Sequence, residues 1–291
     1  MNSIKLNTPM QKMTFHDMDI FIKRDDLINE DFSGNKARKF YYFLINEFPN
    51  IKKLVSYGSN QSNAMYSMSV LSRLKGWEFE YYCDHISSLM LENPSGNYKS
   101  ALDNGAKIIN LEGKTRPNLV STDEILYIPE GGYAQESEYG IKLLADEINE
   151  WIRLQDDDTF KIFLPSGTGT TALFLQKHLE YPVYTCACVG DEKYLKQEFF
   201  GLESNEQNHP IILQTYKKYH FGKLYKNLYY LWLELKSKTM IEFDLLYDPI
   251  GFDTILSNLK IFEDSKIIYI HQGGIKGNLT MLQRYKHKYE S

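Results

Sequence analysis

Cysteine is scarce. The 291 residues hold three, too few for a disulfide framework and in keeping with a reducing compartment. Two of them, in Cys186-Ala187-Cys188, lie inside an apolar run at 183–189 that predicts a packed strand. Their spacing is wrong for a zinc knuckle, and no metal site is expected anywhere in the chain. Apolar runs stay well short of the ~20 residues that span a bilayer. The N-terminus carries no apolar signal segment, so a cytoplasmic protein without membrane contacts is expected. The formal net charge is -5, with basic residues scattered along the chain rather than gathered into a track. That distribution excludes nucleic acid as a natural partner. Repeats of solenoid period and low-complexity linkers are also missing.

What is present suits a substantial core. Hydrophobic residues make up 43 % of the chain, enough for one large or two medium domains. The 22 tyrosines recur at helical spacing, as in 225–232, and read as buried stripes. Short strand-like runs alternate with helical ones. Strands are expected at 18–23, 53–57, 78–83, 106–111, 125–128, 161–164, 183–189, 211–214 and 266–271. Helices are expected at 62–75, 97–104, 137–153, 170–179, 193–200, 221–236, 253–262 and from about 277. The alternation predicts an α/β protein with open parallel sheets and helices on both faces.

In such sheets ligands bind beyond the carboxyl ends of the strands. Clusters of Gly, Ser, Thr and Asn sit there: Gly58-Ser59-Asn60, Gly131-Gly132, 166–171 and Gly273-Gly274. In FSGNKARKF, residues 32–40, Lys36 follows Ser-Gly-Asn at the start of an apolar helix. The positive end of the helix dipole and the charges of Arg38 and Lys39 are expected to lower its pKa, as a Schiff-base lysine requires. In KIFLPSGTGTTALFLQ, residues 161–176, a strand, a Gly-rich turn and a helix start make an anion cup. The cup suits a compact monophosphate. It also fits G-x-G-x-x-A, with Asp191 at the distance of a ribose-binding acid, so a dinucleotide and a purely structural turn stay open on this segment alone.

Seven segments in order carry a resemblance: IKRDDLINEDFSGNKARKF, GSNQSNA, IPEGGYA, LPSGTGTT, YHFGK, YDPIGF and IIYIHQGG. Together, over about residues 8–280, the chain resembles the 1-aminocyclopropane-1-carboxylate (ACC) deaminase and D-cysteine desulfhydrase family of pyridoxal-phosphate enzymes. The resemblance implies a two-domain, tryptophan-synthase-β-like (fold type II) architecture. A large cofactor domain would comprise 1–40 and 136–291, with a smaller α/β domain inserted at 41–135. Homodimers are usual among the relatives.

The resemblance also implies roles. Lys36 matches the lysine that holds pyridoxal phosphate covalently, and Asn63 the residue on the 3′-oxygen of its ring. Ser166, Gly167, Thr168, Gly169, Thr170 and Thr171 match the phosphate loop. Gln272 stands beside the ring nitrogen, where many relatives carry Thr. Ser62 matches a serine at the substrate carboxylate or reacting carbon, with Ser59, Asn60 and Gln61 beside it. Tyr133, in Glu130-Gly131-Gly132-Tyr133, falls on a loop near the substrate. The implied activity is elimination or deamination of a small amino acid, D-cysteine-like or ACC, to a 2-oxo acid and ammonia.

The chain departs from the family at the phenols. Asp-Pro-Val-Tyr-Glu/Thr becomes Asp248-Pro249-Ile250-Gly251-Phe252, and a second tyrosine becomes Phe221. No acid then faces the ring nitrogen unless Asp253 turns inward. ACC ring opening is accordingly disfavoured against β-elimination. A cofactor-binding relative with altered chemistry is the second reading, and an NAD-dependent dehydrogenase the third. Arg24-Asp25-Asp26 reads as an ion pair or strand cap, His220 and His271 as structural, and Asp123-Glu124 and Asp156-Asp157-Asp158 as solvated surface.

Overall fold

The computed structural model describes residues 4–156 and 159–290; Asp157 and Asp158 of the acidic run lie outside the described residues. The chain opens with β1 (Met10–Phe15), β2 (Met18–Lys23) and α1 (Gly34–Ile45). Next come β3 (Lys53–Tyr57), α2 (Asn63–Lys75), β4 (Glu78–Cys83), α3 (Ser88–Glu92), α4 (Gly96–Asp103), β5 (Lys107–Asn110) and β6 (Ile125–Tyr127). The third stretch holds α5 (Ser137–Arg153), β7 (Phe160–Ser166), α6 (Thr170–His178), β8 (Val183–Ala187), α7 (Glu192–Leu202) and β9 (Ile211–Ile212). It ends with α8 (Lys226–Thr239), α9 (Asp248–Ser257), α10 (Leu259–Phe262), β10 (Lys266–Ile270) and α11 (Asn278–Tyr289).

Two sheets result. The six-stranded sheet has the order β1-β2-β10-β7-β8-β9, and the four-stranded sheet the order β5-β4-β3-β6. The smaller sheet is parallel throughout. The larger is parallel except at one edge, where β1 runs antiparallel to β2 with Met13 opposite Ile20. This hairpin adds one antiparallel edge to the open parallel sheets expected from the sequence. Its turn, His16-Asp17, has positive φ at both residues (48° and 61°), the geometry of a two-residue hairpin without the usual glycine.

Burial explains the strands. β10 reads Lys-Ile-Ile-Tyr-Ile, and its last four residues are buried on both faces between β2 and β7. One core lies on each face of the large sheet, around Phe163, Phe252 and Tyr269 on one side and Ile162, Leu173 and Phe174 on the other. A third lies beside the small sheet, where Phe40 and Phe43 of α1 join Met68, Phe79 and Tyr81. α3 has no counterpart among the expected helices, and α8 and α9 start elsewhere than expected. α8 starts five residues late, because Gly222 at φ 72° and the bond from the His220 N–H to the Tyr225 hydroxyl (3.0 Å) hold 219–225 as a loop. α9 starts at Asp248, with Pro249 fitting its first turn, and Asn258 separates it from α10. Among the described residues no helix is long and apolar enough to cross a membrane.

Candidate active site

The carboxyl ends of β3, β7 and β10 converge on a cavity of about 260 Å³, walled by residues that follow each strand. Lys36 enters it from the first turn of α1. Its amine is lowered from the ordinary 10.5 to about 8, chiefly by burial, against the pull of the Asp244 carboxylate. Arg38 does not contribute as expected. It is wholly buried and turned away from the cavity, donating to Asp25 (2.8 and 2.9 Å) and Glu147 (2.7 and 3.0 Å), so its charge is compensated. Lys39 does face the cavity, held by the Gly131 carbonyl at 3.0 Å. Burial first and Lys36 second push its pKa well down. Arg24 pairs with Asp26 at 2.7 and 2.9 Å, so Arg24, Asp25 and Asp26 are structural ions, as read from the sequence.

The Gly-rich turn bends into α6 through Gly169, whose φ of 74° and contact with Phe199 leave no room for a side chain. The N–H groups of the first helical turn have no intrahelical acceptor and can hold an anion. Thr168 and Thr170 share a hydrogen bond at 3.1 Å, and Asn35 reaches Thr171 at 3.3 Å. Gly167 lines the cavity between them and β7. Ser166 also lines it, yet its hydroxyl is turned into the sheet onto Thr185 (2.7 Å). Gln272 is fixed at both ends of its amide, donating to the Pro165 carbonyl (2.7 Å) and accepting from Asn35 (2.8 Å).

From the small sheet, Ser62 caps α2 by accepting the N–H groups of Ala64 (3.2 Å) and Met65 (3.3 Å). Asn63 follows, and Asn97 decides which way its amide faces. Asn97 donates to the Asn63 carbonyl oxygen at 2.6 Å and to the Gln61 backbone at 2.9 Å. The Asn63 NH₂ group is thereby left toward Asp244, 3.5 Å away. Ser59 and Gln61 are in the wall as well. Asn60 is not: its amide donates to the His85 carbonyl (3.1 Å) at the surface. Tyr133 also stands outside the wall, its hydroxyl bound to the Glu198 carbonyl at 2.7 Å.

Three carboxyls in the wall were not singled out from the sequence: Glu130, Asp244 and Asp248. Asp244 accepts the N–H groups of Leu246 and Tyr247 at 2.8 Å each and is raised to about 6, mainly by burial. Asp248 is engaged by the Tyr269 hydroxyl (2.6 Å) and the Asp244 N–H (2.8 Å). Asp253 stays out of the cavity on the Tyr219 hydroxyl (2.8 Å). Asp191 caps α7 through the Tyr194 N–H (3.0 Å) and is absent from the wall, which removes the ribose acid of the dinucleotide reading. His271 is structural, stacked on Phe243 and bonded to the Glu242 carbonyl (2.9 Å).

The donor set fits an aldehyde-bearing ring with a phosphate tail. It offers a depressed lysine for the aldehyde, open N–H groups for the phosphate and the Asn63 amide for a ring oxygen. No family model and no curated protein matches the sequence. Among solved structures, an ACC deaminase homologue is similar at 19 % identity and TM-score 0.76, over 98 % of this chain and 94 % of that one. An L-serine ammonia-lyase from the fungus Rhizomucor miehei is similar at 15 % identity and TM-score 0.66, over 99 % and 100 %. A pyridoxal 5′-phosphate-dependent aspartate racemase is similar at 12 % identity and TM-score 0.62, over 92 % and 90 %. The chain has the tryptophan-synthase-β-like α/β fold that these enzymes share.

Proposed function

We propose that the protein is a pyridoxal-phosphate-dependent lyase or deaminase that converts a small amino acid to a 2-oxo acid and ammonia. The carrying observation is that one cavity holds Lys36, with its pKa near 8, the Asn63 NH₂ group and the turn at 168–171. When bound, pyridoxal phosphate supplies the electron sink. The turn and the α6 N-terminus would hold its phosphate, while Asn63, locked by Asn97, would donate to its ring oxygen. Lys36 would hold its aldehyde.

Lys36 is the one amine of the pair with Lys39 not tied to a backbone carbonyl; its bond is to the neighbouring Asn35 side chain (3.1 Å). Its amine would also be placed to take and return the α-proton of the bound amino acid. Ser59, Gln61 and Ser62, before and at the start of α2, suit the substrate carboxylate. Loss of the α-proton and of a leaving group on the β-carbon, then hydrolysis, gives the 2-oxo acid and ammonia, with sulfide if the substrate is a cysteine. ACC has no α-proton, and its ring demands a further acid or base. Gly251, Phe252 and Phe221 take away the family groups suited to that, so β-elimination from a D-cysteine-like substrate is the favoured reaction. The same losses favour, as second reading, a cofactor-binding relative with altered chemistry.

The test is direct. The loaded protein should be yellow and lose its colour on Lys36→Ala, and borohydride should fix the label on the peptide carrying Lys36. Label on Lys39 or on no lysine overturns the proposal. Pyruvate release from D-cysteine, D-serine and ACC then separates lyase from binder.

A further inference from the structure

The sequence removes both phenols that the resemblance leads one to expect, yet a tyrosine reaches the cavity from another position. Tyr247 precedes α9, one helical turn before Gly251. Its backbone N–H is held by Asp244 at 2.8 Å, and its ring packs against Phe221 with centroids 5.4 Å apart. The hydroxyl lines the cavity beside Gly167, 3.3 Å from where a Cβ on that glycine would stand. Among the described residues it has no hydrogen-bond partner. Position 251 could not supply a phenol in this chain. A Cβ there would come within 2.9 Å of the Tyr269 hydroxyl, itself committed to Asp248, and within 3.3 Å of Phe163.

We infer that Tyr247 is the substrate-facing phenol of this site, donating a hydrogen bond to the bound amino acid. Buried beside the Asp244 carboxyl, its pKa is pushed up, so it works as a neutral donor and not as a base. An unpaired hydroxyl in a cavity gains most from a ligand that pairs with it. Its neighbour Phe221 is 44 % exposed, which places this wall at the mouth where substrate enters. The cofactor groups, Lys36, Asn63 and the turn at 168–171, come from other elements of the wall. Phe221, lacking a hydroxyl, closes over the Tyr247 ring and leaves its oxygen as the polar atom of that pair.

The inference rests on the proposed function and can fail separately from it. Tyr247→Phe, loaded with pyridoxal phosphate, is compared with the parent by absorbance titration against D-cysteine, D-serine, L-serine and ACC. The expected result is unchanged thermal stability and cofactor affinity, with about tenfold weaker binding of the amino acids that perturb the parent spectrum. KM should rise with it. Unchanged amino-acid affinity in the loaded variant overturns the inference alone, as does a loss confined to cofactor affinity. A parent chain that takes up no cofactor, or whose spectrum none of the four perturbs, overturns the proposed function and this inference with it.

Discussion

Gly34 and Gln272, 238 positions apart in the sequence, touch backbone to backbone: a Cβ on Gly34 would overlap the Gln272 carbonyl, and the Asn35 N–H donates to that same oxygen at 3.0 Å. Gly34 also holds φ at 62°. The contact fixes the start of α1 against the turn after β10, two residues before Lys36. Gly34→Ala must therefore part the two segments or distort the helix start. We expect a loss of at least about 1 kcal/mol from the backbone conformation alone and a lysine shifted away from the cavity. Urea unfolding and cofactor uptake measure the two effects, and a variant normal in both contradicts the account.

Lys36 and Asp244 shape the pH profile of the cofactor-free chain. Below about 8 the folded state carries a buried ammonium at a cost. Between about 8 and 10.5 the folded chain has shed that proton while the unfolded chain keeps it, so stability rises with pH. Asp244 acts in the other direction. Between 3.8 and about 6 the folded chain keeps a proton that the unfolded chain has lost, so stability falls as pH rises. Each contribution is roughly 3 kcal/mol at most. The expected profile dips between about 6 and 8. Lys36→Met should flatten the alkaline limb and Asp244→Asn the acid limb, read as urea midpoints across pH.

Arg38 is a structural cation with no exposed surface, forked between Asp25 and Glu147 and also donating to the Leu6 carbonyl at 2.7 Å. Arg38→Met leaves the buried Asp25 carboxylate short of its main partner. The expected cost is about 3–5 kcal/mol, seen as a lower denaturant midpoint at unchanged slope.

Placing a tyrosine at position 251, where the resembled family carries one, should harm the protein. Tyr269 fills that space and stacks on Phe252 with centroids 4.4 Å apart. Gly251→Tyr is expected to lower thermal stability by overpacking, about 1–3 kcal/mol or more. Pairing it with Tyr269→Phe should recover only part of the loss, because the aromatic ring remains. A stable single variant with raised ACC turnover contradicts this packing.

Local signals made much of this legible. β2, β4 and α5 fall at their expected boundaries because each carries a clear period, and β3 because its short apolar run stops at Gly58. Lys36, Asn63 and the turn at 168–171 stood out through seven segments in a shared order, since each strand-end cluster alone reads as turn chemistry. β1 escaped because His16-Asp17 lacks the glycine signal of its turn. Asp244 and Tyr247 escaped for another reason. They sit in the segment between α8 and α9, where no periodicity marks a face, and only packing against Asn63, 181 positions away, brings Asp244 to the site. Ser166 looked like a donor to the ligand, but Thr185, on the neighbouring strand, turns its hydroxyl aside.

The parallel pairing of β2 with β10, Ile20 opposite Ile267, has a consequence for how the molecule assembles. The strands of the small sheet all lie between residues 53 and 127 and can close early during synthesis. The large sheet waits for one of its central strands, which is also the last in sequence among the described strands, and that loop closure is long. Until β10 arrives, Gly34 has no Gln272 to rest against, so Lys36 leaves the ribosome well before the pocket that tunes it can form.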